Sequence, residues 1–340
     1  MDPLSDVVTA MRIGEPHSAR VTHRAPFGWQ LPAVDAAGFH VVLAGTCWFL
    51  PPTGDPIVLR PGDIVFLPGG CTHALADDPA TPLHAATTTL RRVNPGQAES
   101  SAPASELRPE TVLLCGAYLL DRSRSHPMLA DLPEVIHLPA PTTRHTPAGT
   151  IVDLLDGELI GNHHPGRDAM LRTLLDALLL HILRSWLDQH ADSGTDAGWS
   201  AALRDPAVAT ALSAIHSSPG HGWTIAELAD HAGLSRASFA RRFTTLIGRP
   251  PIAYLTWWRM TLAARQLRDT DTPISIIARH AGYASEFAFA HAFKSEFGCP
   301  PGRFRQQTPP AQPPDRNPAP TTDLHPPAQA AAARATKSEI

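Results

Sequence analysis

Between residues 21 and 120 the apolar positions come in short runs (FHVVLAG, CWFL, DIVFLPGG and TVLLCGAYLL) cut by the turn-forming stretches LPAVDAAG, PPTGDP and RPGD. Short apolar runs bounded by Pro and Gly at such intervals predict the strands of a β-sandwich or barrel. Residues 79–110, rich in Pro, Ala and Ser, predict a long loop. After Pro147 the period changes. From Asp168 to Gln189 the chain is apolar at helical spacing and nearly all round, which predicts a long, well-buried helix. Such a helix serves internal packing, a dimer interface, or both. Residues 191–200 (ADSGTDAGWS) have the composition of a linker, and the pattern is helical from Pro206 to Arg305. Residues 308–340, with paired prolines and an Ala run, lack the apolar periodicity of a core and are expected to be disordered. The predicted organisation is a β-domain over 1–150, linking helices and linker over 151–200, an all-α domain over 201–307 and a tail over 308–340. The class is α+β multidomain.

The helical third repeats itself. Residues 224–250 carry Ala229-x-x-x-Gly233, Phe239, Phe243, Gly248 and Pro250; residues 274–300 carry Ala278-x-x-x-Gly282, Phe289, Phe293, Gly298 and Pro300. Each unit reads helix, Gly turn, helix, the pattern of a helix-turn-helix, and two in register make tandem DNA-reading modules. In the first, Thr224 and Glu227 form a capping box and Ser235 caps the second helix, on which Phe239, Phe243 and Leu246 share a face. That leaves Ser235, Arg236, Ser238, Arg241 and Arg242 to meet DNA: Arg pairs bidentately with guanine, and Ser serves base or phosphate. In the second, Phe289, Phe293 and Phe297 make the core stripe, and Ser285, Glu286, Phe287, His291 and Lys294 are the DNA-facing candidates. Phe287 either packs on a thymine methyl or is buried at the seam between modules. Pro251 to Arg268 reads as one helix holding the modules at a fixed separation.

Charge supports this division. The chain carries a formal net charge of −4, yet residues 220–305 hold eleven Lys and Arg against six Asp and Glu. A basic segment on an acidic chain is the footprint of a nucleic-acid-binding domain with an acidic partner domain. No run of 18 apolar residues occurs, and the first residues lack the layout of a signal peptide, so a soluble, cytoplasmic protein with no membrane partner is expected. The four cysteines, at 47, 71, 115 and 299, have neither disulfide-framework nor zinc-finger spacing.

Segment 223–305, with GLSRASFARRFTTLIGRPPIAYL, WRMTLAARQLR and GYASEFAFAHAFKSEFGCPPGRFR, closely resembles the DNA-binding domain of AraC-type transcriptional regulators. It differs from them at Trp257 and His291, where basic residues are common. Upstream, PGDIVFLPGGCTHALAD (Gly62, Pro68, Gly70, His73 and Asp77) is similar to the second cupin motif, with Asp77 in place of the usual Asn. The first cupin motif is not recognisable, so the ligand set of a cupin metalloenzyme cannot be assembled. The arrangement resembles the cupin sensor domain fused to AraC-type modules, one branch of which responds to reactive chlorine and related oxidants or electrophiles. The resemblance implies a homodimeric regulator, an activator rather than a repressor, that binds promoter DNA and works with RNA polymerase. It also implies control by a small-molecule or oxidant effector. Oxidant-sensing relatives carry a cysteine near residue 22, where this chain has Thr22 and His23.

His40, Cys71, His73 and Cys115 lie in or beside predicted strands and can meet at one barrel mouth. His40, His73 and Cys115 would form a competent Zn²⁺ or Cu⁺ site, and a thiolate paired with a protonated His would be an oxidisable thiol. The alternative is a set of packed core groups. Cys47 and Cys299 are read as packing residues. Two other classes compete with a regulator: a cupin metalloenzyme fused to a DNA-binding domain, disfavoured by the missing first motif, and a structural oligomeriser, disfavoured by the doubled basic module.

Overall fold

A computed structural model describes residues 2–12, 14–86, 110–120, 126–143, 146–160, 164–189 and 198–307. The expected loop beyond residue 86, the linker up to residue 197 and the 308–340 tail lie outside the described residues. A first helix, α1 (Pro3–Met11), precedes strands β1 (His17–Arg24), β2 (Gly28–Leu31), β3 (Ala37–Ala44), β4 (Cys47–Leu50), β5 (Ile57–Leu59), β6 (Ile64–Leu67), β7 (His73–Ala76), β8 (His84–Ala85) and β9 (Glu110–Tyr118). Helix α2 (Pro127–Ala130) and strand β10 (Ile136–Leu138) follow. Among the described residues the strands form two five-stranded sheets, in the orders β1-β9-β3-β6-β10 and β5-β4-β7-β2-β8.

The apolar runs are nearly continuous because the first sheet is covered on both faces. Along β3, Phe39 and Val41 enter a core shared with the helices, while Val42 enters the core between the sheets; β6 divides the same way, Ile64 and Phe66 against Val65 and Leu67. Successive side chains on a strand alternate faces, so His40, opposite Cys115 and Val65 in the ladders, points with Val42 between the sheets.

The helices continue with α3 (Ala140–Thr143), α4 (Pro147–Ile160), α5 (Arg167–Gln189), α6 (Trp199–Arg204), α7 (Pro206–Ser217), α8 (Ile225–His231), α9 (Arg236–Ile247), α10 (Pro251–Asp269), α11 (Ile274–His280), α12 (Glu286–Phe297) and α13 (Pro301–Gln307). Helix α5 corrects one expectation. It is not buried all round: Leu174, Leu175, Leu178, Leu179, Ile182, Leu183 and Trp186 are buried, whereas Met170 is exposed. Arg172, Asp176 and Arg184 interrupt its apolar sequence, and Asp176 pairs with Arg12 beside α1.

The two modules are not equivalent in their packing. Phe239 and Phe243 of α9 belong to the same continuous core as α1, the outer face of the first sheet, α5 and α7. Phe289 and Phe293 of α12 belong to a separate core with Met260, Ala263, Ala264 and Leu267 from the far half of α10. The first module is therefore fused to the β-domain, and the second hangs from the other end of α10, a helix of 19 residues and so about 28 Å long.

Candidate nucleic-acid interface and barrel cluster

Helices α9 and α12 start where their caps dictate. Thr224 and Glu227 complete both halves of the capping box on α8. Ser235 accepts a hydrogen bond from the Ser238 amide and Ser285 one from the Ala288 amide, so α9 and α12 begin one residue later, at Arg236 and Glu286. The Gly turn is obligatory in the second module: Gly282 has φ +79°, and a Cβ there would lie 2.5 Å from the Gly220 carbonyl oxygen.

Arg236, Arg241, Glu286, Phe287, His291 and Lys294 are exposed, and Ser238 is half-buried at the start of α9. Arg242 is exposed as well but differs in its pairing. Its guanidinium pairs with the buried Asp205 carboxylate, which also accepts from the Val208 amide as the cap of α7. It thus ties α9 to α7. The alternative of a Phe287 buried at the module seam is also corrected: this ring is 84% exposed. Trp257 is a core residue with the Arg249 guanidinium 5.6 Å above its ring, so a cation stands beside that position although the residue itself is aromatic.

In the barrel, His40, His73 and Cys115 meet as the sequence suggests, but in a line. His40 Nδ1 lies 3.1 Å from Cys115 Sγ and His40 Nε2 lies 2.8 Å from His73 Nε2. His73 Nδ1 lies 2.8 Å from the Cys71 carbonyl oxygen. A carbonyl only accepts, so His73 carries its proton on Nδ1, and His73 Nε2 accepts from His40 Nε2–H. His40 Nδ1 then accepts from the Cys115 thiol. Each contact has one donor and one acceptor with both rings neutral.

The charges agree with that assignment. Burial, with His73 and His23 adding to it, lowers the His40 pKa to about 3, and burial lowers that of His73. Burial, with Cys47 adding to it, raises the Cys115 thiol to about 12. The expected thiolate–imidazolium pair is therefore a neutral thiol and a neutral ring. The three-ligand metal cup is not formed either, because Cys115 and His73 sit at opposite nitrogens of His40. Among the described residues no group of three or more His, Cys, Asp and Glu is placed to hold a metal ion. Cys71 stands outside the line: its backbone accepts from His73, while its thiol, raised by burial and Glu134, approaches the Glu134 carbonyl. His23 stacks on Phe27 at 4.9 Å and accepts from Trp29 Nε1 at 3.3 Å.

A second buried polar chain, with no signal in the sequence, joins the two halves of the molecule. The Met128 amide donates to His126 Nδ1, which leaves the His126 proton on Nε2, 3.3 Å from the Tyr254 hydroxyl. That hydroxyl lies 2.8 Å from His216 Nε2, and His216 Nδ1 faces Asp6 Oδ2 at 3.4 Å. Burial lowers the pKa of both histidines. Trp199, Trp257 and Trp258 pack around His126. The participants come from α1, the turn before α2, α7 and α10, as many as 248 positions apart, so no local pattern reveals them.

Comparison with known proteins matches both halves. A family model described as a cupin covers residues 2–188, and one described as a helix-turn-helix domain covers 228–307. A Streptomyces lividans protein assigned as an AraC-like transcription regulator is 35% identical over 311 residues, spanning 90% of this chain and 98% of its own. The RCS-specific HTH-type transcriptional activator RclR of Escherichia coli is 29% identical over 286 residues, spanning 82% and 89% respectively. The solved DNA-binding domain of AdpA, a global transcriptional factor, in complex with a target DNA is 28% identical, with a TM-score of 0.29 over 30% of this chain and 92% of that one.

Proposed function

The chain belongs to the AraC-type transcriptional regulators with an amino-terminal cupin domain, and from that premise we propose that it works as a cytoplasmic homodimer that recruits RNA polymerase when the barrel meets its effector. The observation that carries the reading is the matched pair α9 and α12, each capped by serine, each with a buried aromatic stripe and an opposite face open to solvent, on the single spacer α10. Two recognition helices so joined face successive major grooves of one duplex face, with Arg236 and Arg241 supplying guanine or phosphate contacts and Lys294 a phosphate contact. Activation rather than repression is supported by the likeness to RclR, a transcriptional activator. Dimerisation is supported by apolar side chains left exposed on α4 and α5: Leu154, Ile160 and Met170.

The fold supplies a route for control. His40 and Cys115 face the barrel interior from β3 and β9, while the opposite faces of those strands, at Phe39, Val41 and Leu114, pack in the core that contains Phe239 and Phe243 of α9. An effector that reorganises the His40–His73 line would shift strands whose outer faces share one continuous core with the first reading helix. Among the described residues no helix is long and apolar enough to cross a membrane.

The test uses the full chain and a duplex it selects from a random-sequence pool. Arg241→Ala should weaken binding by roughly 10- to 100-fold and flatten the salt dependence. Arg242→Ala should instead lower thermal stability while leaving the selected base pattern intact. Unchanged affinity in Arg241→Ala would remove α9 from the interface.

A further inference from the structure

Among the described residues Phe287 is the most exposed large apolar side chain, and its place on α12 leaves it no way into the protein core. At 100° per residue it lies about 200° around the helix from Phe289 and about 240° from Phe293, both fully buried. Moving it inward would require unwinding the helix that Ser285 caps. The same geometry aligns Phe287 with His291 and Lys294 in one outward stripe, four and seven residues on.

The first module holds Arg236, Ala237 and Arg241 where the second holds Glu286, Phe287 and His291, a constant offset of 50 residues. The second reading helix thus has no guanidinium at its tip. Helix α12 carries Glu286, Lys294 and Glu296, a formal balance of −1, so phosphate attraction through Lys294 alone does little to hold this helix in a groove. What it does present is an aromatic ring at the amino-terminal turn, the part of a recognition helix that meets base edges. A phenyl group neither donates nor accepts a hydrogen bond. In the major groove the one apolar group on a base edge is the 5-methyl of thymine. Beside it, the exposed Glu286 carboxylate can accept from an exocyclic amino group, whereas the guanine O6 and N7 acceptors would repel it.

We infer that Phe287 is the specificity-determining residue of the second module and reads a thymine methyl. The inference rests on α9 and α12 being DNA-reading helices and adds the chemistry by which the arginine-free one discriminates.

Uracil differs from thymine only in lacking that methyl, which makes the test direct. The full chain selects a duplex from a random-sequence pool, and each thymine in it is replaced singly by uracil. One position should cost the wild type about fourfold in affinity, the factor expected for one buried methyl. Phe287→Ala should bind the thymine duplex as weakly as the wild type binds the uracil duplex and should no longer distinguish the two. Phe287→Leu, which keeps an apolar tip, should retain part of the preference. Three results would overturn the inference: every uracil substitution is neutral in the wild type; thymine discrimination survives in Phe287→Ala; or Phe287→Ala binds normally and loses only transcription, which would place a protein against this ring. Arg241→Ala separates the two levels. If it too leaves binding unchanged, the failure lies with the DNA-reading assignment; if it weakens binding while uracil is neutral throughout, only the role of Phe287 falls.

Discussion

Tyr254→Phe removes one oxygen atom from the junction between the two halves of the protein and leaves the ring in place. The hydroxyl is shared by His126 Nε2 at 3.3 Å and His216 Nε2 at 2.8 Å, where both histidines are buried. With His126 Nδ1 occupied by the Met128 amide, the His126 Nε2 proton has no other acceptor among these contacts, and His216 Nε2 loses its donor. An unsatisfied buried polar group costs about 1–3 kcal/mol, so two should cost about 2–6 kcal/mol. For a chain longer than 150 residues that corresponds to a fall in Tm of roughly 4–24 °C. Tryptophan fluorescence is the suitable probe, because Trp199 and Trp257 lie 6.1 and 5.8 Å from the Tyr254 ring. Tyr118→Phe provides the comparison. Its hydroxyl makes a single 2.8 Å bond to the Leu175 carbonyl on the β-domain side, and its loss should cost only about 1 kcal/mol. A Tyr254→Phe protein melting within about 1 °C of the wild type would refute the directed proton assignment and the structural weight placed on this chain.

Acid should unfold the protein early. His40, held near a pKa of about 3 by burial, and His73, His126 and His216, all lowered by burial, are neutral when folded, whereas their unfolded values lie near 6.5. Their stability contribution is fully present above pH 6.5 and is lost as pH falls toward each folded value, by about 1.4 kcal/mol per pH unit for each strongly shifted group. The urea midpoint at pH 5.5 should lie well below that at pH 7.5; a midpoint flat across this range would contradict the buried neutral state. Cys115, raised to about 12, should resist iodoacetamide in the native protein at pH 7.5 and react on unfolding, as read by mass spectrometry of tryptic peptides. Rapid native labelling of Cys115 would show a thiolate that the neutral His40 contact does not provide.

Much of the recognition apparatus is legible along the chain because it is local. The caps Thr224, Ser235 and Ser285, the left-handed glycines 248 and 298, and the uninterrupted α10 all depend on residues within one or two turns, where spacing decides geometry. Duplication made the modules visible, and their differences at Arg236/Glu286 and Ala237/Phe287 are plain from the letters. The face a side chain occupies, given the helix, also follows from the 3.6-residue period, which is why Phe289 and Phe293 are core and His291 and Lys294 are not.

What tertiary structure alone decided lies in contacts between elements distant in sequence. Arg242 has the same local setting as Arg241, yet a carboxylate 37 residues away pairs with it and ties α9 to α7. His40, His73 and Cys115 were expected to converge, and they do, but whether three donors form a cup or a line depends on ring orientation. Strand position does not specify that, and the protonation states follow from burial that only the folded barrel creates. The same is true of the core that fuses the first module to the β-domain while leaving the second on its own. Sequence periodicity says which residues are inside; which inside they share is settled when the chain closes on itself.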